Sequence, residues 1–234
     1  MLKDNADRIH EAIASACRRS GRGDAVTLLC ATKGVTPERL HEAAALGLTL
    51  FGENRIQDAL PKMAALEGLG IVWHFIGTLQ KNKAAVAVER FACVQSVDSI
   101  GLARKLQGAA MQAEKVLPVF IEINIGDEPL KGGIKAADLP ALLEELGRLD
   151  NLRFEGLMCV PPYHPDTEIS RPYFHQMREI YDRLSPLFPS LAHLSMGMSE
   201  DYAVAVEEGA TMVRVGRALF GERVIQWTAE GVEA

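Results

Sequence analysis

Short apolar runs recur along the chain, each followed by a polar or glycine-containing loop and then by a segment of helical periodicity. This is the pattern of repeated β/α units. The runs are Val26 to Ala31, Leu48 to Phe51, Val72 to Ile76, Phe91 to Gln95, Leu117 to Ile123, Phe154 to Val160, Ala192 to Leu194 and Met212 to Val215. Helices are predicted over Pro37 to Leu46, Asn54 to Leu66, Asn82 to Val88, Ile100 to Gln112, Leu139 to Leu146, Pro172 to Leu184 and Tyr202 to Glu208. Another precedes the first run, with Ile9, Ile13 and Ala16 on one face, Asn5 as its cap and Gly21 as its stop. Eight strands alternating with helices in 234 residues fit an α/β fold of the closed (β/α)8 TIM-barrel type, with an extra N-terminal helix, better than an open doubly wound sheet. No linker or low-complexity tract divides the chain, so one domain is expected over residues 1–234.

Composition narrows the function classes. Apolar residues make up 48%, enough for a sizeable core, and 25 Lys and Arg against 31 Asp and Glu leave a net charge of −6. That balance speaks against a general nucleic-acid binder and leaves a locally basic site open. No apolar run approaches a membrane span, and the opening Met1-Leu2-Lys3-Asp4-Asn5 lacks the apolar stretch of a secretory signal, so a cytoplasmic protein is expected. Cys17, Cys30, Cys93 and Cys159 form no C-x-x-C pair or disulfide framework, which suits a reducing compartment. The histidines show no metal-ligand spacing, and no metal is expected. Walker, G-x-G-x-x-G and G-x-S-x-G motifs are absent, which removes the common nucleotide and serine-hydrolase readings.

A barrel carries its chemistry on the loops that follow its strands. Lys33 directly follows the first run, where desolvation and neighbouring cations would favour a neutral, nucleophilic amine. Position alone better suits a lysine whose stem covers the rim while its ammonium reaches water. Ser195-Met196-Gly197-Met198-Ser199 and Arg214-Val215-Gly216-Arg217 have the makings of a split anion site after strands seven and eight, with glycines for close backbone approach and hydroxyls and amides as donors. Taken singly, Gly197 and Gly216 are also ordinary turn residues. Together the parts suggest a phosphate-bearing aldehyde held by Lys33, with Arg214 able to face a ring nitrogen, a description that fits pyridoxal 5'-phosphate (PLP). An arginine partner leaves the pyridine nitrogen unprotonated and the ring a weaker electron sink. Glu53 and Glu122 are expected to pair with arginines, His74 to be a hydrogen-bonded rim or core residue, and Lys81 and Lys83 to serve solubility.

Ala31-Thr32-Lys33, Phe51 to Gln57, Trp73 to Lys83, Lys131-Gly132-Gly133, Gly156-Leu157-Met158 and Leu194 to Ser199 resemble, in order, the motifs of the pyridoxal phosphate homeostasis protein family (YggS/PROSC type). The resemblance covers almost the whole chain. It implies a fold-type III barrel similar to the N-terminal domain of alanine racemase, without that enzyme's second domain. It further implies that Lys33 carries PLP as a Schiff base and that Asn54 lies near the ring. Arg214 would face the pyridine nitrogen, and Ser195, Ser199, Gly216 and the amide of Arg217, with Met196 and Gly197 in the same motif, would surround the phosphate. One departure stands out: members commonly have threonine where this chain has Arg217, so a hydroxyl donor to phosphate is lost.

The resemblance implies a carrier in intracellular PLP (vitamin B6) and amino-acid homeostasis, monomeric, passing PLP to apo-enzymes without catalysis. A small PLP-dependent amino-acid racemase is the alternative. It needs a second base, and Tyr163, after the sixth run, is the tyrosine to test. An aldolase-like barrel, with Lys33 bonded to a sugar phosphate, ranks behind both.

Overall fold

The protein is described by a computed structural model covering residues 1–23, 25–221, 226–228 and 231–233. Eight parallel strands close into a barrel: β1 (Thr27–Ala31), β2 (Leu50–Glu53), β3 (Val72–Phe75), β4 (Cys93–Val97), β5 (Leu117–Ile123), β6 (Leu152–Cys159), β7 (His193–Ser195) and β8 (Met212–Val215). Closure is made by β1 on β8, with Thr27 opposite Met212 and Cys30 opposite Val215. The connecting helices are α2 (Pro37–Ala45), α3 (Ile56–Ala65), α4 (Ala84–Arg90), α5 (Ile100–Gln112), α6 (Leu139–Leu146), α7 (Arg171–Leu184) and α8 (Tyr202–Glu207), with α1 (Leu2–Arg19) ahead of the barrel. A short helix, α9 (Arg217–Phe220), and a two-stranded hairpin, β9 (Gln226–Thr228) with β10 (Gly231–Glu233), follow β8 and were not expected from periodicity.

Side chains on a strand alternate between the two faces of the sheet, and in a barrel this separates interior from helix-facing positions. In β8, Met212 and Arg214 point inward, while Val213 and Val215 join the large core between the strands and the helices. The lower barrel interior is apolar, filled by Leu29, Cys93, Phe120, Met158 and Met212. One pleat further along the strands the inward positions turn polar: Gln95, Glu122, Ser195 and Arg214. The barrel therefore has a dry floor and a polar ceiling beneath its loops.

Two boundaries differ from the expectation for identifiable reasons. α1 begins at Leu2, with Met1 at its cap position, and Asn5 is not the cap: its Nδ2 donates to the Leu219 carbonyl at 2.8 Å, tying α1 to α9. β4 lies two residues later than its apolar run, because Phe91 ends α4 and packs edge-on against Phe75.

Candidate functional site

The ends of β1 and β2 are held together by a buried ion pair. Glu53 closes β2 facing outward toward α3, where Lys62 lies on the same face as Ile56 and Ala59. Neither side chain of the pair is exposed, and Nζ of Lys62 lies 2.5 Å from Oε1 of Glu53. The same ammonium donates to the Thr32 carbonyl at 2.7 Å, the Thr32 hydroxyl donates to Glu53 at 2.8 Å, and the other carboxylate oxygen accepts the Asn54 amide at 3.1 Å. This corrects the expected pairing of Glu53 with an arginine. The network fixes the backbone immediately before Lys33 and at Asn54.

Lys33 and Asn54 line a pocket of about 640 Å³ together with Ala31, Val35, Tyr163, Glu200, Gly216, Arg217, Phe220 and Gly221. Pockets of this size are typical of small-molecule sites. Lys33 is exposed, so its side chain meets water as well as lining the pocket. Gly216 allows β8 to approach β1 closely, since a Cβ there would lie 2.9 Å from the Ala31 carbonyl oxygen.

The loops after β7 and β8 are joined by Ser199, whose hydroxyl accepts the Ala218 amide at 3.1 Å in the first turn of α9. Arg217 opens that helix and pairs with Glu200 across the two loops. Of the residues expected from sequence, Lys33, Asn54, Gly216 and Arg217 thus meet at one pocket.

Ser195 and Arg214 lie elsewhere, in the barrel interior. The Ser195 hydroxyl donates to Gln95 Oε1 at 2.8 Å and accepts from Arg214 Nη1 at 2.8 Å; Arg214 Nη2 donates to the Cys159 carbonyl at 2.8 Å. Ser195 is thus held by the inward register of β7 and does not line the pocket. Gln95 also meets Nδ1 of His74 at 2.8 Å, giving that histidine a partner the sequence did not reveal. Met196 is fully buried in the core. Gly197 makes a turn at φ +90°, where a Cβ would strike Ala205 at 2.6 Å. These two act through packing.

Burial sets the charges of the interior. It pushes His74 down to about 4, with His193 adding to the effect, so His74 is neutral at pH 7. It raises the carboxyl of Glu122 to about 7, opposed by Arg214 and assisted by Asp98. It draws Arg214 below the ordinary guanidinium range, with Cys159, Glu122 and Asp201 acting the other way. Burial also raises the Cys159 thiol to about 12, which removes it as a nucleophile near neutrality. No cluster of metal-ligating side chains occurs among the described residues.

Sequence reasoning missed Glu200, Phe220 and Val35 in the pocket wall, and Lys62 beneath it. Lys62 did leave a signal: it occupies an apolar-face position in the Ile56, Ala59, Leu66 spacing of α3.

Comparison with known proteins agrees with this architecture. Residues 6–224 match the family described as alanine racemase, N-terminal domain. The pyridoxal phosphate homeostasis protein of Aquifex aeolicus is 44% identical over 222 residues, covering 94% of this chain and 97% of that protein. The protein of the same name from Pseudomonas aeruginosa is 40% identical, with 95% and 96% covered. The structure of PipY from Synechococcus elongatus with PLP bound superposes with a TM-score of 0.79 at 38% identity, covering 90% of this chain and 99% of that one.

Proposed function

Because the chain belongs to the pyridoxal phosphate homeostasis proteins, within the alanine racemase N-terminal domain family, we propose that it binds PLP through a covalent link at Lys33. In this reading it works in intracellular PLP and amino-acid homeostasis as a non-catalytic carrier, a cytoplasmic monomer of one domain that passes PLP to apo-enzymes. The observation that carries the reading is the pocket in which Lys33, Asn54, Gly216 and Arg217 converge. When bound, PLP supplies a reactive aldehyde and an electron-withdrawing ring.

The residues present fit that group. Lys33 offers an accessible primary amine and Arg217 a guanidinium for phosphate. Arg214, buried in the interior, uses one N–H of Nη1 and one of Nη2, and no further hydrogen bond to its guanidinium occurs among the described residues. Donors therefore remain for an acceptor such as a ring nitrogen. Arg214 does not line the pocket itself; where the ring reaches its guanidinium, that group would donate a hydrogen bond without surrendering its proton and so orient the ring without charging it. That arrangement favours holding over turnover. Unbridged Cys17, Cys30, Cys93 and Cys159 suit a reducing compartment, and no helix among the described residues is long and apolar enough to cross a membrane.

The test is a visible spectrum of protein mixed with PLP, borohydride reduction and peptide mass mapping, on wild type and Lys33→Ala. A reduced adduct on Lys33, absent in the variant, together with PLP transfer to an apo-enzyme, is the expected result. No adduct on Lys33 would sink the reading.

A second reading, a small amino-acid racemase, is favoured by one observation: Tyr163 lines the same pocket as Lys33 and could serve as a second base. It requires substrate-dependent exchange of the Cα proton in deuterated water, lost in both Lys33→Ala and Tyr163→Phe. Absence of exchange across a broad amino-acid panel leaves the carrier.

A further inference from the structure

A carboxylate in the wall of an anion pocket opposes the binding it surrounds, and among the described residues Glu200 is the acidic one lining this pocket, beside the cations Lys33 and Arg217. Its Oε1 accepts from Nε of Arg217 at 3.1 Å and also from Nη2. We propose that Glu200 is a displaceable counter-anion: a ligand's phosphate takes the Arg217 guanidinium from it, and the carboxylate's return to Arg217 speeds release. The inference rests on the reading of this pocket as a phosphate-ester site.

Three features support the exchange. The pair is solvent-accessible, with the side chains 58% and 38% exposed, so it is weak and readily broken. A guanidinium binds a phosphate through charge-assisted, often bidentate hydrogen bonds, the stronger arrangement. The loops carrying the two residues are joined by the Ser199 to Ala218 hydrogen bond, and Asp201 accepts the Met198 amide at 2.7 Å, so Glu200 stays close to Arg217 when displaced. The exchange at Arg217 makes and breaks hydrogen bonds alone; release of PLP also needs hydrolysis of its link to Lys33, which consumes one water and returns the Lys33 amine and the free aldehyde. The arrangement is particular to a chain with arginine at position 217, since a threonine hydroxyl could donate to phosphate without needing a counter-anion.

The test measures PLP dissociation by stopped-flow absorbance in wild type, Glu200→Gln, Arg217→Thr and the double variant, with pyridoxal as the ligand that lacks phosphate. A phosphorus NMR titration with inorganic phosphate on the same proteins gives a second readout. Glu200→Gln should slow PLP release and tighten inorganic phosphate by about two- to fivefold, a range set by the worth of an exposed pair. Pyridoxal release should be unchanged, and the effect should vanish in the Arg217→Thr background. Equal release from wild type and Glu200→Gln, an equal change for pyridoxal, or an effect that persists without Arg217 overturns the proposal. If wild type takes up no PLP, the functional reading fails by itself, and the phosphate titration still decides this one.

Discussion

The ammonium of Lys62 and the carboxylate of Glu53 face each other with no solvent on either side, and both also bind the residue that precedes Lys33. Removing one member of such a pair leaves an uncompensated buried charge, at a cost of about 3–5 kcal/mol, whereas replacing both by apolar residues is often neutral. Lys62→Met should therefore lose that much stability, and Lys62→Met with Glu53→Leu should recover most of it, as read from urea unfolding. In the double variant Thr32 and Asn54 lose their tether, so PLP binding should stay weaker than in wild type although the fold returns.

Ser195 bridges Gln95 and Arg214 within the barrel. Ser195→Ala removes a donor and an acceptor from a buried network and should destabilise by about 1–3 kcal/mol. Thermal unfolding would register this in the absence of any ligand, and an unchanged midpoint would show that water replaces the hydroxyl.

Glu122 gives stability a pH dependence of known sign. Its folded pKa, about 7, lies above the ordinary carboxyl value, so the folded chain holds a proton that the unfolded chain has released. Its contribution is fully present below the unfolded pKa and is lost as pH rises toward and through about 7. His74, pushed down to about 4, acts in the opposite direction: its contribution is present above its unfolded pKa and is lost as pH falls toward about 4. Comparing Glu122→Gln with wild type isolates the carboxyl, and the variant should lose a decline on the order of 1–2 kcal/mol between pH 5 and pH 8. Parallel curves for the two proteins would refute this.

Gly77 is required by the backbone of the pocket. A Cβ at that position would lie 2.2 Å from the Asn54 carbonyl oxygen, so Gly77→Ala must push Asn54 aside or distort the loop after β3. A cost of about 1–3 kcal/mol is expected, with PLP affinity falling as well. Denaturant unfolding and a binding titration, run side by side, separate the two effects.

The barrel was legible because its evidence is local. The runs that became β5 and β8, and the periodic segments that became α5 and α6, have the bounds expected of them, since apolar spacing alone specifies them. β2 was less legible: it ends in Gly52-Glu53, and a carboxylate within a buried strand makes sense only once Lys62 is seen to arrive from α3. The same holds for the site. Lys33, Gly216 and Arg217 follow strands, so barrel geometry directed attention to them, whereas Asn54 came from the family resemblance. That the Ser195 side chain is spent inward depends on the phase of β7 by one residue, which a three-residue strand does not reveal.

β1 and β8 meet across nearly the whole length of the chain, with Leu29 opposite Arg214. During synthesis the first strand waits for the last, so the sheet keeps two open edges until β8 has left the ribosome. Contacts of such sequence separation form slowly, and unpaired strand edges are prone to aggregation. The nascent chain is thus most vulnerable just before β8 emerges, and truncation upstream of Met212 would leave an incomplete sheet with exposed edges.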